Sequence, residues 1–99
     1  MRTAAKRDTV EREIIQALEA IGCTVYQIDE PADLLVGYRK RNFLLEVKSH
    51  GGKLTENQSF FSTRWRGQYM VVWNADQAID LVTRAYTAQT LKTQNEKPR

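Results

Sequence analysis

The chain has 99 residues, enough for one hydrophobic core and too few for two independent ones. Hydrophobic residues make up 41% and charged residues 27%, as in ordinary globular domains, and the apolar runs are far shorter than the roughly 20 residues of a membrane span. The net charge of +3 permits a polyanionic partner without requiring one.

The N-terminal residues carry positive charge, but no apolar stretch follows them, so they do not have the pattern of a signal peptide. Cys23, the one cysteine, excludes an internal disulfide and is interpreted as a small buried hydrophobic residue. We therefore expect a cytoplasmic, non-membrane protein with one domain over residues 1–99, and flexible tails at about 1–7 and 92–99.

The first predicted element is a helix from about Thr9 to Ile21, because apolar residues recur there at helical spacing. Asp8 is predicted as the N-cap, with Glu11 at the capping-box position three residues later. Gly22 follows the last apolar position and is predicted to end the helix.

Three strands are predicted next. The alternating, β-rich run Thr24–Ile28 indicates the first, and a loop containing Pro31 ends it, because proline cannot continue a central ladder. The runs Asp33–Tyr38 and Phe43–Ser49 are rich in Leu, Val and Phe and predict two strands of a hairpin.

The apolar pattern of this hairpin predicts its register. An antiparallel register that places Asp33 opposite Glu46 closes on a two-residue turn, Arg39-Lys40. It puts the apolar side chains of both strands on one face and those of Asp33, Glu46 and Lys48 on the other. A slip of one residue would bury Asp33 among Leu and Val. Two adjacent carboxylates repel each other in a strand, so we interpret them as ligands for a hard divalent cation.

The second half of the chain continues with a flexible glycine-containing turn at 50–54. A second helix is predicted to begin with the capping box Thr55 to Gln58 and to run to about Arg66. The compact apolar run Tyr69–Trp73 predicts a strand buried on both faces.

Asn74 is predicted to cap a last helix that runs to about Arg84. The resulting order is helix, strand, strand, strand, helix, strand, helix. The helix between the third and fourth strands predicts that these two pair in parallel through a right-handed crossover. The predicted fold class is therefore α/β, with a mixed sheet flanked by helices.

These motifs resemble those of the PD-(D/E)XK nuclease superfamily and, more narrowly, the small stand-alone VRR-NUC proteins of phages. The segment with Pro31 and Asp33 stands where that family has its Pro-Asp turn, although the proline here is two residues before the aspartate. Glu46-x-Lys48 stands at the Glu-x-Lys motif, and Gln58 lies on the glutamine-bearing helix. The resemblance implies a restriction-endonuclease-like mixed β-sheet flanked by helices, in the order αβββαβα.

The resemblance also implies an activity. We expect a DNA endonuclease that uses Mg²⁺, with Mn²⁺ able to substitute, and no small-molecule cofactor. Small nucleases of this kind form homodimers, which suits the cutting of branched or four-way junction DNA. For a phage-encoded protein, the expected cytoplasmic location would be the cytoplasm of the host cell.

The chemistry of phosphodiester hydrolysis assigns roles to the motif residues. Asp33 and Glu46 would ligate Mg²⁺, and the backbone carbonyl of Val47 would add a third oxygen. Lys48 would orient the attacking water and stabilise the charge of the transition state. The resemblance implies that Gln58 acts in the catalytic site, and Glu11 is the candidate for an extra metal ligand.

Each of these residues also has a structural interpretation. Glu11 and Gln58 would serve only as capping-box partners. Asp33 would be a turn residue at the end of a loop, and Lys48 an ordinary ion-pair partner of Glu46.

Five cationic residues are candidates for contacts with the DNA backbone: Arg39, Lys40, Arg41, Lys53 and Arg64. Their alternative interpretation is a set of solvated charges on turns and a helix surface.

Among the remaining residues, His50 is predicted to be a surface residue or a phosphate neighbour, not a catalytic base. The aromatic residues of the second half are predicted to belong to the core and not to base-stacking platforms; they are Phe60, Phe61, Trp65 and Trp73.

Two other functional classes remain open from the sequence. One is a non-catalytic DNA-binding module with the nuclease fold, which the intact Asp33, Glu46 and Lys48 disfavour. The other is a small α/β interaction protein whose charged hairpin face is only solvated.

Overall fold

The computed structural model describes residues 4–49 and 52–84, with side chains described from residue 9 onward. Its elements are α1 (Ala4–Ala20), β1 (Thr24–Gln27), β2 (Leu34–Tyr38), β3 (Arg41–Val47), α2 (Glu56–Arg64) and β4 (Tyr69–Val72), followed by helix α3 at 75–84. The predicted order αβββαβα is confirmed. Within the described ranges, no helix is long and apolar enough to cross a membrane.

The four strands form one mixed sheet in the order β1-β2-β3-β4. β1 pairs with β2 and β2 with β3 in antiparallel fashion, whereas β3 and β4 pair in parallel, as predicted. Tyr38 lies opposite Arg41, and Leu34 opposite Leu45, which is the predicted hairpin register. Arg39 and Lys40 both have positive φ, 51° and 68°, as a two-residue turn that matches strand twist requires.

One face of the sheet forms the core with α1 and α3. The apolar residues of β3 on this face, Phe43, Leu45 and Val47, have no exposed surface. They belong to one cluster with Ile14, Leu18, Cys23, Leu34, Val36, Val72, Ala78 and Val82. Full burial of each large side chain contributes about 1.5–3 kcal/mol, so this face fixes the register of the hairpin. Cys23 is buried, as predicted.

Helix α1 begins earlier than the sequence pattern suggests. It starts at Ala4, so Asp8 lies within the helix, and the prediction of Asp8 as N-cap is wrong. The short run of alanine, lysine and arginine at 4–7 has high helix propensity and extends the helix into residues predicted to be a tail. Because Asp8 is not the N-cap, Glu11 is not the capping-box partner of Asp8 either.

The end of α1 follows the prediction. Gly22 adopts a positive φ of 103°, and its N–H donates to the carbonyl of Glu19 at 3.1 Å. The N–H of Cys23 donates to the carbonyl of Leu18 at 3.0 Å, which completes a Schellman motif. Glycine fits this position because other residues adopt positive φ only with strain.

Helix α2 begins with the predicted capping box between Thr55 and Gln58 and ends at Arg64, two residues earlier than predicted. Among its described residues none is fully buried. Phe60 is 63% exposed and Trp65, at the C-cap, is 45% exposed, so their prediction as core residues is wrong. Helical periodicity indicates which side chains share a face, but it does not show how closely that face approaches the sheet.

The positions of β4 and α3 agree with the prediction, but the burial of β4 does not. In β4 only Val72 is fully buried, and Tyr69 and Val71 are half-buried. The prediction that this strand is buried on both faces is therefore wrong, because β4 pairs with β3 at the end of the described sheet. Asn74 caps α3 through its Oδ1, which accepts from the N–H of Gln77 at 2.7 Å.

Three sequence-based predictions fall outside the described residues. They concern His50, the tail at 92–99 and, as a segment that the sequence offers for a dimer interface without further support, residues 85–91.

Candidate active site

Two buried carboxylates lie on the face of the sheet opposite the core. Glu46, near the end of β3, is 2% exposed, and Asp33, immediately before β2, is 8% exposed. The Oδ2 atom of Asp33 accepts a hydrogen bond of 2.8 Å from the backbone N–H of Val47. The N–H of Asp33 donates to the carbonyl of Leu45 at 3.1 Å. Both the backbone and the side chain of Asp33 are therefore hydrogen-bonded to β3.

The environment disfavours ionisation of Glu46. Burial, followed by the charge and hydrogen bonding of Asp33, raises the pKa of Glu46 to about 7, and the nearby ammonium of Lys48 opposes this shift only in part. Burial and the neighbouring Asp33 therefore oppose ionisation of Glu46 more strongly than Lys48 favours it.

Lys48 and Gln58 complete a hydrogen-bonded group with Glu46. The Nζ of Lys48 donates to Oε1 of Gln58 at 2.8 Å and lies 3.6 Å from Oε2 of Glu46. The Nε2 of Gln58 donates to the same Glu46 oxygen at 2.6 Å. Oε1 of Gln58 also accepts from the N–H of Thr55 at 2.9 Å, so the capping and site interpretations of Gln58 hold together.

The carboxylate pair lines an open cleft of about 390 Å³ between the sheet and α2. Besides Asp33 and Glu46, its walls include the acidic residues Asp29 and Glu30 from the loop after β1, and Asn57 from α2. Four carboxylates in one small cleft repel an anionic substrate unless a cation is bound among them. We call this space the carboxylate cleft.

Glu11 lies elsewhere. It is buried, and its Oε2 accepts a hydrogen bond of 3.1 Å from Nε2 of Gln27, at the end of β1. It lines a separate cleft with Arg12 and Ile15. Gln27 lies opposite Leu34, the residue after Asp33, but Glu11 does not line the carboxylate cleft, and no three His, Cys, Asp or Glu side chains of the described ranges form a metal-binding group. The structure therefore does not bring Glu11 together with the carboxylate pair.

The five cationic candidates also lie outside the lining of the carboxylate cleft. Arg39, Lys40 and Arg41 are at the closed end of the hairpin, five residues along β2 from Asp33, or about 17 Å. The Arg39 guanidinium lies 5.5 Å from the centre of the Tyr38 ring.

The other two candidates lie near the ends of α2. The Arg64 guanidinium lies 5.0 Å from the centre of the Phe60 ring, and Lys53 is exposed just before the helix. Neither residue lines the carboxylate cleft, and their contacts with DNA stay a prediction.

The sequence did not assign Tyr69 to the site. Its hydroxyl is buried and has no hydrogen-bond partner among the described residues. Burial, then the charges of Glu46 and Asp33, raises the pKa of Tyr69 to about 12. The parallel pairing of Tyr69 with Leu44, together with strand alternation, places it on the face of Glu46. Strand alternation in the sequence already placed Tyr69 on one face of its strand, but the apolar run Tyr69–Trp73 predicts burial on both faces and so hides this role.

The fold and the site define a class of protein: a mixed α/β domain of the restriction-endonuclease-like type. A solved structure described as a VRR_NUC domain is similar to the chain, with a TM-score of 0.68 and 26% sequence identity, over 82% of this chain and 98% of that one. No family model and no curated protein matches the sequence. The chain therefore has a VRR-NUC-like nuclease fold, as the motifs implied.

Proposed function

We propose that this protein is a metal-dependent endodeoxyribonuclease that hydrolyses phosphodiester bonds. The observation that carries the proposal is the convergence of two buried carboxylates, Asp33 and Glu46, with Lys48 and Gln58, both of which contact Oε2 of Glu46. The VRR-NUC-like fold supports a nuclease of this class.

The chain's own residues fit a divalent cation. Carboxylate and carbonyl oxygens are the ligands that Mg²⁺ and Mn²⁺ prefer, and Asp33, Glu46 and the carbonyl of Val47 would hold the ion. Burial first, and then the charge of Asp33, raises the pKa of Glu46, and a cation bound beside this carboxyl would oppose both effects. When bound, the ion would lower the pKa of a water molecule and neutralise charge on the phosphate.

Lys48 supplies the positive charge of the site. Its side chain is only 15% exposed and is anchored to Gln58, which holds the ammonium at the carboxylate cleft. From there it donates hydrogen bonds to the attacking water and stabilises the charge that develops on the phosphoryl oxygens. Removal of one such donor typically lowers kcat by about 10²–10³.

Gln58 positions the other two groups. Its amide oxygen accepts from Lys48 and its amide nitrogen donates to Glu46, so one planar group sets the orientation of both. Such supporting contacts typically change activity or metal affinity by about 10- to 100-fold when they are removed.

We further propose that the protein acts on branched or four-way junction DNA as a homodimer. One 99-residue chain offers a single carboxylate cleft, and a two-fold dimer would present two such clefts to two strands. The cations of the hairpin turn, about 17 Å from Asp33, would contact the DNA backbone away from the cut.

Cleavage assays test the proposal. Supercoiled plasmid and a four-way junction are incubated with Mg²⁺, Mn²⁺ or EDTA, using the native protein and its Glu46→Gln and Lys48→Met variants. Asp80→Asn serves as a matched control, because Asp80 is an exposed carboxylate that pairs with Arg84 on α3.

We expect metal-dependent cutting by the native protein and Asp80→Asn, and none above background by the other two. Equal cutting by all four proteins would remove the catalytic assignment. Binding of DNA without cutting under any condition would instead support the non-catalytic module.

A further inference from the structure

A second open space lies beside the carboxylate cleft on the same face of the sheet. It encloses about 600 Å³, and we call it the apolar groove. Leu35 and Leu44 contribute apolar surface from the sheet, and Trp65 contributes its indole from the end of α2. Lys40 and Arg41 line the groove toward the hairpin turn, and no carboxylate of the described ranges lines it.

Trp65 is held rigidly although it is 45% exposed. Its indole stacks on the ring of Phe61, with centroids 5.2 Å apart and planes inclined by 24°. Gly67 lies against the same indole so closely that a Cβ atom at this residue would be 2.7 Å from Nε1 of Trp65. An aromatic side chain that keeps 45% of its surface exposed is therefore placed by these two contacts in the lining of the groove.

The apolar groove adjoins the proposed site of cleavage. Leu35 is two residues after Asp33 and Leu44 is two residues before Glu46, each on the same face of its strand, so their Cα atoms lie about 7 Å from those of the two acidic residues. Pro31 lines both spaces. A nucleic acid strand that crosses the carboxylate cleft would therefore extend directly into the groove.

We propose that the apolar groove binds an unpaired nucleobase next to the scissile phosphate, with the base stacked on Trp65. This inference rests on the proposed function and deepens it, because it makes DNA with unpaired nucleotides at the cut the substrate class. The charges favour this occupant: Lys40 and Arg41 complement a phosphate, and the leucine and indole surfaces complement the faces of a base.

Binding experiments with Ca²⁺ in place of Mg²⁺ test the groove by affinity and not by cleavage, because Ca²⁺ takes the same oxygen ligands and offsets the charge of the carboxylate cleft. Fluorescence anisotropy compares three labelled duplexes: one with an unpaired three-nucleotide tail, one with the same tail made abasic, and one with blunt ends. We expect the native protein to bind the base-bearing tail roughly tenfold more tightly than the abasic tail.

Three variants assign this preference to Trp65. Trp65→Ala should abolish the preference and Trp65→Phe should retain part of it. Phe60→Ala is the matched control, since Phe60 is an exposed aromatic residue of the same helix that does not line the groove, and it should keep the full preference.

The outcomes separate this inference from the proposed function. If the native protein cuts DNA but binds the base-bearing and abasic tails equally, the groove assignment alone would be overturned. A preference that depends on Trp65, in a protein that never cuts, would support the groove and remove the nuclease activity. If light scattering shows that Trp65→Ala converts a native dimer to a monomer, the groove holds a second copy of the chain and the inference is overturned. Absence of any DNA binding would overturn it as well.

Discussion

Gln58 donates a 2.6 Å hydrogen bond from Nε2 to Oε2 of Glu46, while its Oε1 accepts from both Lys48 and the N–H of Thr55. One side chain thus completes the N-terminal cap of α2 and joins that helix to the two charged groups of β3. Formation of the helix start and orientation of the site are therefore physically coupled.

This coupling predicts different consequences for two cap variants. Thr55→Ala and Gln58→Ala each remove half of the capping box and should each lower the free energy of unfolding by about 0.5–2 kcal/mol. Only Gln58→Ala also frees Lys48 and Glu46, so it should lower the cleavage rate by about 10- to 100-fold. Urea denaturation and single-turnover cleavage measure the two effects. Equal rates for the two variants would show that Gln58 is only a cap.

The second prediction concerns pH and stability without metal. Because the folded pKa of Glu46 is raised from its ordinary 4.5 to about 7, its stabilising contribution is present below pH 4.5 and is lost as pH rises through 7. In EDTA, Glu46→Gln should therefore match the native protein near pH 4.5 and exceed its stability by about 1–3 kcal/mol at pH 8. Denaturation curves at both pH values test this, with Asp80→Asn as the exposed control. A pH-independent difference would contradict the burial of a charged Glu46.

The third prediction separates the two roles of Asp33. An asparagine at this position still offers an oxygen to the N–H of Val47, whereas alanine leaves that buried donor unpaired. Asp33→Ala should thus be about 1–3 kcal/mol less stable than Asp33→Asn. Both should lose most of the affinity for Mn²⁺ in calorimetric titrations, because both remove a carboxylate ligand. Native affinity in Asp33→Asn would exclude Asp33 from the metal site.

The fourth prediction concerns Gly67. A Cβ atom there would lie 2.7 Å from Nε1 of Trp65, so Gly67→Ala should displace the indole, with a change of at most about 1 kcal/mol in the free energy of unfolding because Trp65 is 45% exposed. The shift should appear as changed Trp65 fluorescence in a Trp73→Phe background. Gly37→Ala is the control, because a Cβ at Gly37 meets nothing within 4 Å. An unchanged spectrum in Gly67→Ala would mean that Trp65 adjusts freely.

The sequence was sufficient to predict the centre of the fold. Alternation in the hairpin leaves one register that buries Leu34, Leu45 and their neighbours while keeping Asp33 and Glu46 together on the other face. The capping box at Thr55 likewise predicted where α2 begins.

What the sequence could not predict depends on tertiary packing. The start of α1 was misplaced because Asp8 has the chemistry of a cap, although the residues before it favour helix. The exposure of Trp65 depends on how closely α2 approaches the sheet, which helical spacing does not determine. The separation of Glu11 from the carboxylate pair depends on the position of α1 over β1.

The most direct test of the central claim is the Mg²⁺ dependence of single-turnover DNA cleavage by the native protein and by Glu46→Gln, with folding of both checked by circular dichroism. We expect a native rate that rises with Mg²⁺ and disappears in EDTA, and a rate at least about 10²-fold lower for the variant. A folded Glu46→Gln protein that cuts at the native rate, or native cutting that persists in EDTA, would contradict it.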